Sequence, residues 1–382
     1  MPPAGDPSAE RALTQDDASL IPTPLDALHR ALGARMVGFA GYAMPVQYPA
    51  GILAEHRHCR TAAALFDVSH MGQALLHGAG ADAALERLVP GDMLGLRPGR
   101  QRYTLLMHEA GGILDDIMVS RLEDGRLFLV LNASRKAADL AHIGAALPAD
   151  VRLEPLPERA LLAVQGPAAA TVMARLAPAV AALGFMAVAE ASIAGTACLV
   201  SRSGYTGEDG FELSIPAEAA GRVARALLDQ PELAPAGLGA RDSLRLEAGL
   251  CLYGADIDET TNPVEAGLTW VLGKRRRMAW DFPGAPAVRA ALEDGPARRR
   301  VGLRPDGRAP ARAGTAIIGR GGETVGEVTS GGFSPTLNVP IAMGYVRADQ
   351  AADGTALALR VRGADLPARI APLPFVPHRY VR

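Results

Sequence analysis

A chain of 382 residues that is 49% hydrophobic and 21% charged can bury a large core, and its length favours two or three domains over one. A formal net charge of −2 gives no field for gathering a polyanion, and 4% aromatic residues leave few platforms for stacking bases, so nucleic acid is excluded as an expected partner. The most apolar stretch, residues 176–189, is interrupted by Pro178 and falls short of the roughly 20 residues that span a bilayer, so no membrane partner is expected either.

The first twenty residues carry Asp6, Glu10, Asp16 and Asp17, whereas a transit peptide is poor in acids and rich in arginine. Residues 1–22 are therefore expected to be a disordered leader, and the protein to be cytoplasmic in a bacterial cell. Cys59, Cys198 and Cys251, odd in number and without CxxC spacing, are expected to be buried thiols of a reducing compartment. Order is predicted to begin at Thr23-Pro24-Leu25 with a helix that stops near Gly33, followed by extended chain and turns from Met36 to Pro49.

Between Phe66 and Leu131, apolar runs at 73–76, 103–107, 117–120 and 127–131 alternate with turn signals such as Gly111-Gly112 and Asp124-Gly125, which predicts a mostly antiparallel sheet. Next come a predicted strand at 160–164, a helix at 168–176, strands at 198–201 and 211–215, and helices at 217–228 and 239–248, an α+β layer. Past the glycine- and proline-bearing stretch 283–296, short β-prone runs at 299–303, 315–318, 341–346 and 356–361 predict a small β-barrel or sandwich.

Several patterns that imitate sites are read as structure. Gly78-Ala79-Gly80-Ala81-Asp82-Ala83 fits a loose dinucleotide fingerprint, but Pro90-Gly91-Asp92 stands where a second parallel strand is required, so it is read as a turn. His56, His58 and Cys59 crowd together, yet neighbours on a helix point in different directions, and no metal is expected. The chain has no Walker loop, HExxH or GxSxG. The basic runs 275–277 and 298–300 are read as solvated faces.

Four segments place polar groups where a core would want apolar ones. In Gly111-Gly112-Ile113-Leu114-Asp115-Asp116-Ile117, strand alternation sends the two carboxylates to opposite sides, one structural and one inward. Asn132, at the end of the apolar run 127–131, could bind a heterocycle, and it or Ser134 could equally cap the next helix. Ser203-Gly204-Tyr205-Thr206-Gly207-Glu208-Asp209-Gly210-Phe211-Glu212 is a glycine-spaced acidic loop whose carboxylates could grip a planar pair of N–H groups. In residues 237–249 the pairs Arg241/Arg245 and Ser243/Glu247 share helix faces, and this spacing fits a salt-bridged surface helix as well as a ligand site.

These segments, with Phe66-Asp67-Val68-Ser69-His70-Met71, Leu161-Leu162-Ala163-Val164-Gln165-Gly166-Pro167, Thr329-Ser330-Gly331-Gly332-Phe333-Ser334-Pro335-Thr336 and the stretches 249–258, 272–277 and 342–346, resemble the signature stretches of the glycine cleavage T-protein family. The likeness runs from Thr23 to the C-terminus without a missing block. It implies an α+β fold of three domains in a cloverleaf around a central folate channel: residues 23–50 with 140–283, residues 51–139, and a C-terminal β-barrel at 297–382. It implies an aminomethyltransferase that takes the methylene from the aminomethyl-lipoyl H-protein onto tetrahydrofolate as co-substrate, without a metal. The resemblance makes Asp116 the catalytic aspartate and Glu212, Arg241 and Tyr380 contacts to substrate or folate, with Asn132 and Tyr205 as further contacts. Relatives on the same scaffold include folate-dependent demethylases and non-catalytic folate-binding proteins. The Asp115-Asp116 stretch and the 204–210 loop fit the T-protein better.

Overall fold

The computed structural model describes residues 19–381, which fall into two compact units. One takes the chain up to Gly72, Leu156–Leu244 and the tail from Arg379; the other takes Gln73–Pro155 and Arg245–His378. The expected leader lies outside the described residues as far as residue 18, and its last two residues, Ile21–Pro22, form a short strand parallel to Tyr42–Ala43.

The first unit is built on a six-stranded sheet in the order Val188–Ile193, Thr196–Ser201, Gly210–Pro216, Arg159–Gln165, Ala63–Asp67 and Leu233–Pro235. The central strand Arg159–Gln165 is covered on both faces, so its residues from Ala160 onward are all buried and its sequence reads as an apolar run. The edge strand Val188–Ile193 shows one face to solvent, and exposed Glu190 and Ser192 break its apolar sequence. Helices Ala169–Leu176 and Ala220–Leu228 bury Val172, Met173, Val223 and Leu227 in the same core as Leu162, Val164, Leu213 and Ile215. The helix expected from 217 begins as a single 3-10 turn and becomes α-helical at Ala220.

The second unit holds a five-stranded sheet, ordered Arg100–Met107, Ile113–Arg121, Leu127–Leu131, Gly72–His77 and Arg152–Pro155, with helices Ala81–Glu86 and Lys136–Ala146. Its C-terminal part is a closed barrel of six strands: Arg298–Pro305, Val339–Arg347, Thr324–Ser334, Ala316–Ile318, Ala356–Val361 and Ala364–Ala371. Closure pairs every strand on both sides and so removes exposed edges, which decides between the barrel and sandwich alternatives. Gly78, at φ +121°, sits where an added Cβ would fall 2.3 Å from the carbonyl oxygen of Asp150, so residues 78–80 make a tight turn that leads directly into helix Ala81–Glu86.

One expectation needs correction here. The basic runs are not simply solvated faces: Arg276 is 2% exposed, binds Asp281 at 2.5 Å and donates to the carbonyls of Glu86 and Val89. Arg275 bridges Glu86 and Asp92, and Arg300 donates to the carbonyls of Ala266 and Gly249. Irregular loops leave backbone acceptors unpaired, and a five-donor guanidinium satisfies several at once.

Candidate active-site clusters

In the second unit, strand Ile113–Arg121 alternates wholly buried with partly exposed residues as far as Val119, placing Asp115 inside and Asp116 on the other face. Alternation does not, however, keep the two carboxylates apart. Asn132 Nδ2 donates to Asp115 Oδ1 and to Asp116 Oδ1, each at 2.8 Å, and lies 3.1 Å from the Asp116 carbonyl. The ladder explains the meeting, because the register that sets Met118 opposite Val130, carried two residues on, brings Asn132 across from Asp116. Asn132 and Ser134 do not cap the next helix. Helix Lys136–Ala146 follows Arg135 with no side-chain cap, and the Asn132 amide is spent on the carboxylates instead.

The sequence reading missed a third acid. Asp139, 1% exposed on helix Lys136–Ala146, brings its carboxyl within hydrogen-bond range of Asp115. The available signal was one acid among small and apolar residues, Lys136-Ala137-Ala138-Asp139-Leu140-Ala141. Three carboxyls so close cannot all ionise. Burial and then Asp115 push Asp139 up to about 9. Burial and the charge of Asp115 push Asp116 up to about 7, against the hydrogen bonds of Tyr103 and Asn132, and burial also raises Asp115. Arg135, the cation of this group, is turned to Glu259 at 3.1 Å and over the Tyr253 ring at 5.4 Å. Cys251, a buried thiol, is pushed up to about 12 by burial, which leaves it unsuited as a nucleophile near neutrality.

The first unit positions a different set of groups. Gln165, at the end of the central strand, accepts from Thr206 Oγ1 and donates to the Ser203 carbonyl, threading its amide through the loop 203–210. Gly204 and Gly210 are required by that approach: a Cβ on either would fall 1.9 or 2.3 Å from the Gln165 amide. The loop's own acids are structural, since Glu208 pairs with Arg60 at 2.7 Å and Arg379 at 2.9 Å, and Asp209 grips Arg202 with both oxygens. Glu212, in strand Gly210–Pro216, is only partly buried and accepts from Ser203 Oγ at 3.0 Å. Arg241 lies over the Tyr205 ring at 4.7 Å, and its Nη1 is buried with no hydrogen-bond partner among the described residues. Burial lowers its pKa while Glu212 and then Tyr205 oppose the shift. The tail contributes Tyr380, whose ring stacks on Phe185 at 4.3 Å with the planes 10° apart, and whose hydroxyl is pushed up to about 12 by burial.

The other polar residues of helix Leu238–Glu247 serve as ties. Ser243 bonds His56 at 2.7 Å; Arg245, in the second unit, pairs with Asp256 at 2.7 Å; Glu247 accepts from Ser334 and Thr336. Arg245 and Glu247 are buried, so the surface-helix alternative does not describe them. His58 bonds the Glu232 carbonyl and Cys59 the Gln165 carbonyl.

On this α+β and β-barrel scaffold, one unit carries a carboxyl pushed up to about 7, and the other a guanidinium over the Tyr205 ring near Glu212 with its Nη1 unsatisfied among the described residues. Residues 25–276 match the GCVT N-terminal domain and residues 298–377 match the glycine cleavage T-protein C-terminal barrel domain. The chain is 49% identical to the mitochondrial aminomethyltransferase of Gallus gallus, covering 97% of this chain and 96% of that one, and 46% identical to its Homo sapiens counterpart, covering 98% and 94%. It superposes on the crystal structure of the glycine cleavage system aminomethyltransferase T from Bartonella henselae with a TM-score of 0.90 at 42% identity, over 95% of this chain and 100% of that one. The chain belongs to the glycine cleavage T-protein family, the aminomethyltransferases of the glycine cleavage system.

Proposed function

We propose that this enzyme transfers the methylene of an aminomethyl group, carried on a lipoyl sulfur of H-protein, to tetrahydrofolate, releasing ammonia and giving 5,10-methylenetetrahydrofolate and dihydrolipoyl H-protein. The observation that carries this reading is the Asp116 carboxyl, held at 2.8 Å by an Asn132 amide that also binds Asp115, with burial raising its pKa. The folate N5 nitrogen is itself the nucleophile, so the protein supplies position and charge, and effective molarity accounts for much of the rate. Ionised Asp116 orients the folate amines, stabilises positive charge on the iminium-like carbon and, being near neutrality, accepts a proton from nitrogen as the new bond forms.

In the first unit the groups present fit a flat heterocycle bearing paired N–H groups. Glu212 accepts from that edge in bidentate fashion, and the unpartnered Nη1 of Arg241 provides a donor for a carboxylate of the ligand or for Glu212 itself. Tyr205 fixes the guanidinium plane by lying beneath it, and Tyr380 offers its hydroxyl from a ring locked against Phe185. Three buried thiols outside any disulfide accord with a reducing compartment, which we take to be the cytoplasm, and no helix among the described residues is long and apolar enough to cross a membrane.

The test mixes pure protein with aminomethylated H-protein and tetrahydrofolate. Ammonia and methylenetetrahydrofolate in equal amounts support the reading. Demethylation of a small methylated substrate, or folate binding without turnover, would replace it with one of the other activities of this scaffold.

A further inference from the structure

Asn132 has two amide hydrogens on Nδ2 and one on its backbone nitrogen, and all three face acidic oxygens. Nδ2 reaches Asp115 Oδ1 and Asp116 Oδ1 at 2.8 Å, and the backbone nitrogen donates to Asp115 Oδ2 at 3.1 Å. The opposite amide orientation would set the Asn132 oxygen against two carboxylates, so the orientation is chosen by its partners. Both oxygens of Asp115 already accept from Asn132, which favours its ionised form. Asp139 is nevertheless within hydrogen-bond range of Asp115, and two ionised carboxyls make no such bond, so the proton between them belongs to Asp139. The remaining Asp139 Oδ2 is buried without a partner, a vacancy a neutral acid tolerates far better than a carboxylate.

We propose that Asp139 is a positioning residue for the transfer: its protonated carboxyl donates to ionised Asp115, and Asp115 thereby holds the Asn132 amide in the one orientation that presents an N–H to Asp116. Asp139 thus acts at one remove, setting the donor that keeps Asp116 aimed. The charged and titratable groups around it are Asp115 and Asp116 on strand Ile113–Arg121, Tyr103 on Arg100–Met107, Arg135 before its own helix, and Tyr253 and Glu259 beyond. Arg135 favours the charged form of Asp139, but its Nη2 is drawn to Glu259 at 3.1 Å.

The experiment measures steady-state kinetics with aminomethylated H-protein and tetrahydrofolate from pH 6 to 10 for Asp139→Asn and Asp139→Ala. The asparagine variant still donates to Asp115 and cannot lose that proton, so it is expected to keep turnover within about threefold and to lose the alkaline fall of kcat. The alanine variant is expected to lose about tenfold or more in kcat with little change in the KM for tetrahydrofolate, and to shift the acidic limb of its pH profile. Equal losses in the two variants, or wild-type pH profiles in both, would overturn the proposal. Should the alanine variant not fold, the asparagine profile decides alone: a persistent alkaline limb refutes the role. The inference rests on Asp116 as the reacting-site carboxylate, and an Asp116→Asn variant of full activity would remove that reading itself, whereas unaltered Asp139 profiles beside an inactive Asp116→Asn remove only this one.

Discussion

Asn132, just past strand Leu127–Leu131, donates through Nδ2 to Oδ1 of Asp116 on the neighbouring strand at 2.8 Å, sixteen positions away in the chain. The bond holds the carboxylate proposed as catalytic without neutralising it. Asp116→Asn is nearly isosteric and is expected to leave folding and folate binding intact while lowering turnover by about a hundredfold or more, the scale of losing a key electrostatic group. Asp115→Asn is expected to act first on stability, by about 1.5–3 kcal/mol, because both its oxygens accept inside the protein. Urea unfolding beside turnover separates the two. A stable but inactive Asp115 variant, with Asp116→Asn active, would exchange their roles.

Glu212→Gln keeps the shape of the side chain and its bond to Ser203 but cannot accept from two N–H groups at once. Tetrahydrofolate affinity is expected to fall by about 1.5–3 kcal/mol, the range for hydrogen bonds to a charged group. Calorimetry checks it, and unchanged affinity would make Glu212 part of the scaffold.

Arg241→Met removes a buried nitrogen that has no partner within the described residues. Burying this cation with one nitrogen unsatisfied costs stability that Glu212 and the Tyr205 ring only partly offset, so the melting temperature is expected to hold or rise while folate affinity drops about tenfold or more. This opposite movement of stability and binding marks a ligand-facing group. A fall in melting temperature with affinity preserved would show that the arginine serves the fold.

Tyr380→Phe retains the stack on Phe185 and deletes one hydroxyl. Turnover is expected to fall by about three- to tenfold, as for one lost hydrogen bond, with no change in melting temperature. Removing the whole tail costs more, because Arg379 also pairs with Glu208 and donates to the Gly207 carbonyl, and the Val381 carbonyl accepts from Phe185. Wild-type kinetics in Tyr380→Phe would confine the tail to that structural work.

Much of the architecture could be read from the chain because it rests on local rules. The run Ala160-Leu161-Leu162-Ala163-Val164 is apolar throughout since both its faces are covered, and it is found as the central strand of its sheet. The glycines of 203–210 are spaced as they are because the Gln165 amide leaves no room for a Cβ at Gly204 or Gly210. Other readings failed where a local rule offered two outcomes. Asn132 could cap a helix or bind a heterocycle, and the polar residues of 238–247 could form a salt-bridged surface helix or a ligand site; the structure turns Asn132 to two carboxylates and Arg245 and Glu247 to buried ties, and spacing within one helix is identical in each case.

What the sequence determined by itself was the element order, the α+β and barrel classes, and the segments where polar groups replace apolar ones, since these follow from periodicity and turn chemistry over a few residues. Only the tertiary structure decided which acids are free to act. Arg60 and Arg379 both hold Oε1 of Glu208 and Arg202 holds both oxygens of Asp209, while Glu212 a few residues on meets a single hydroxyl. Asp139 joins Asp115 and Asp116 although no motif links it to them. The physical reason is that a carboxyl's charge state and availability depend on burial and on partners brought in from distant parts of the chain, and neither is encoded in the residues beside it.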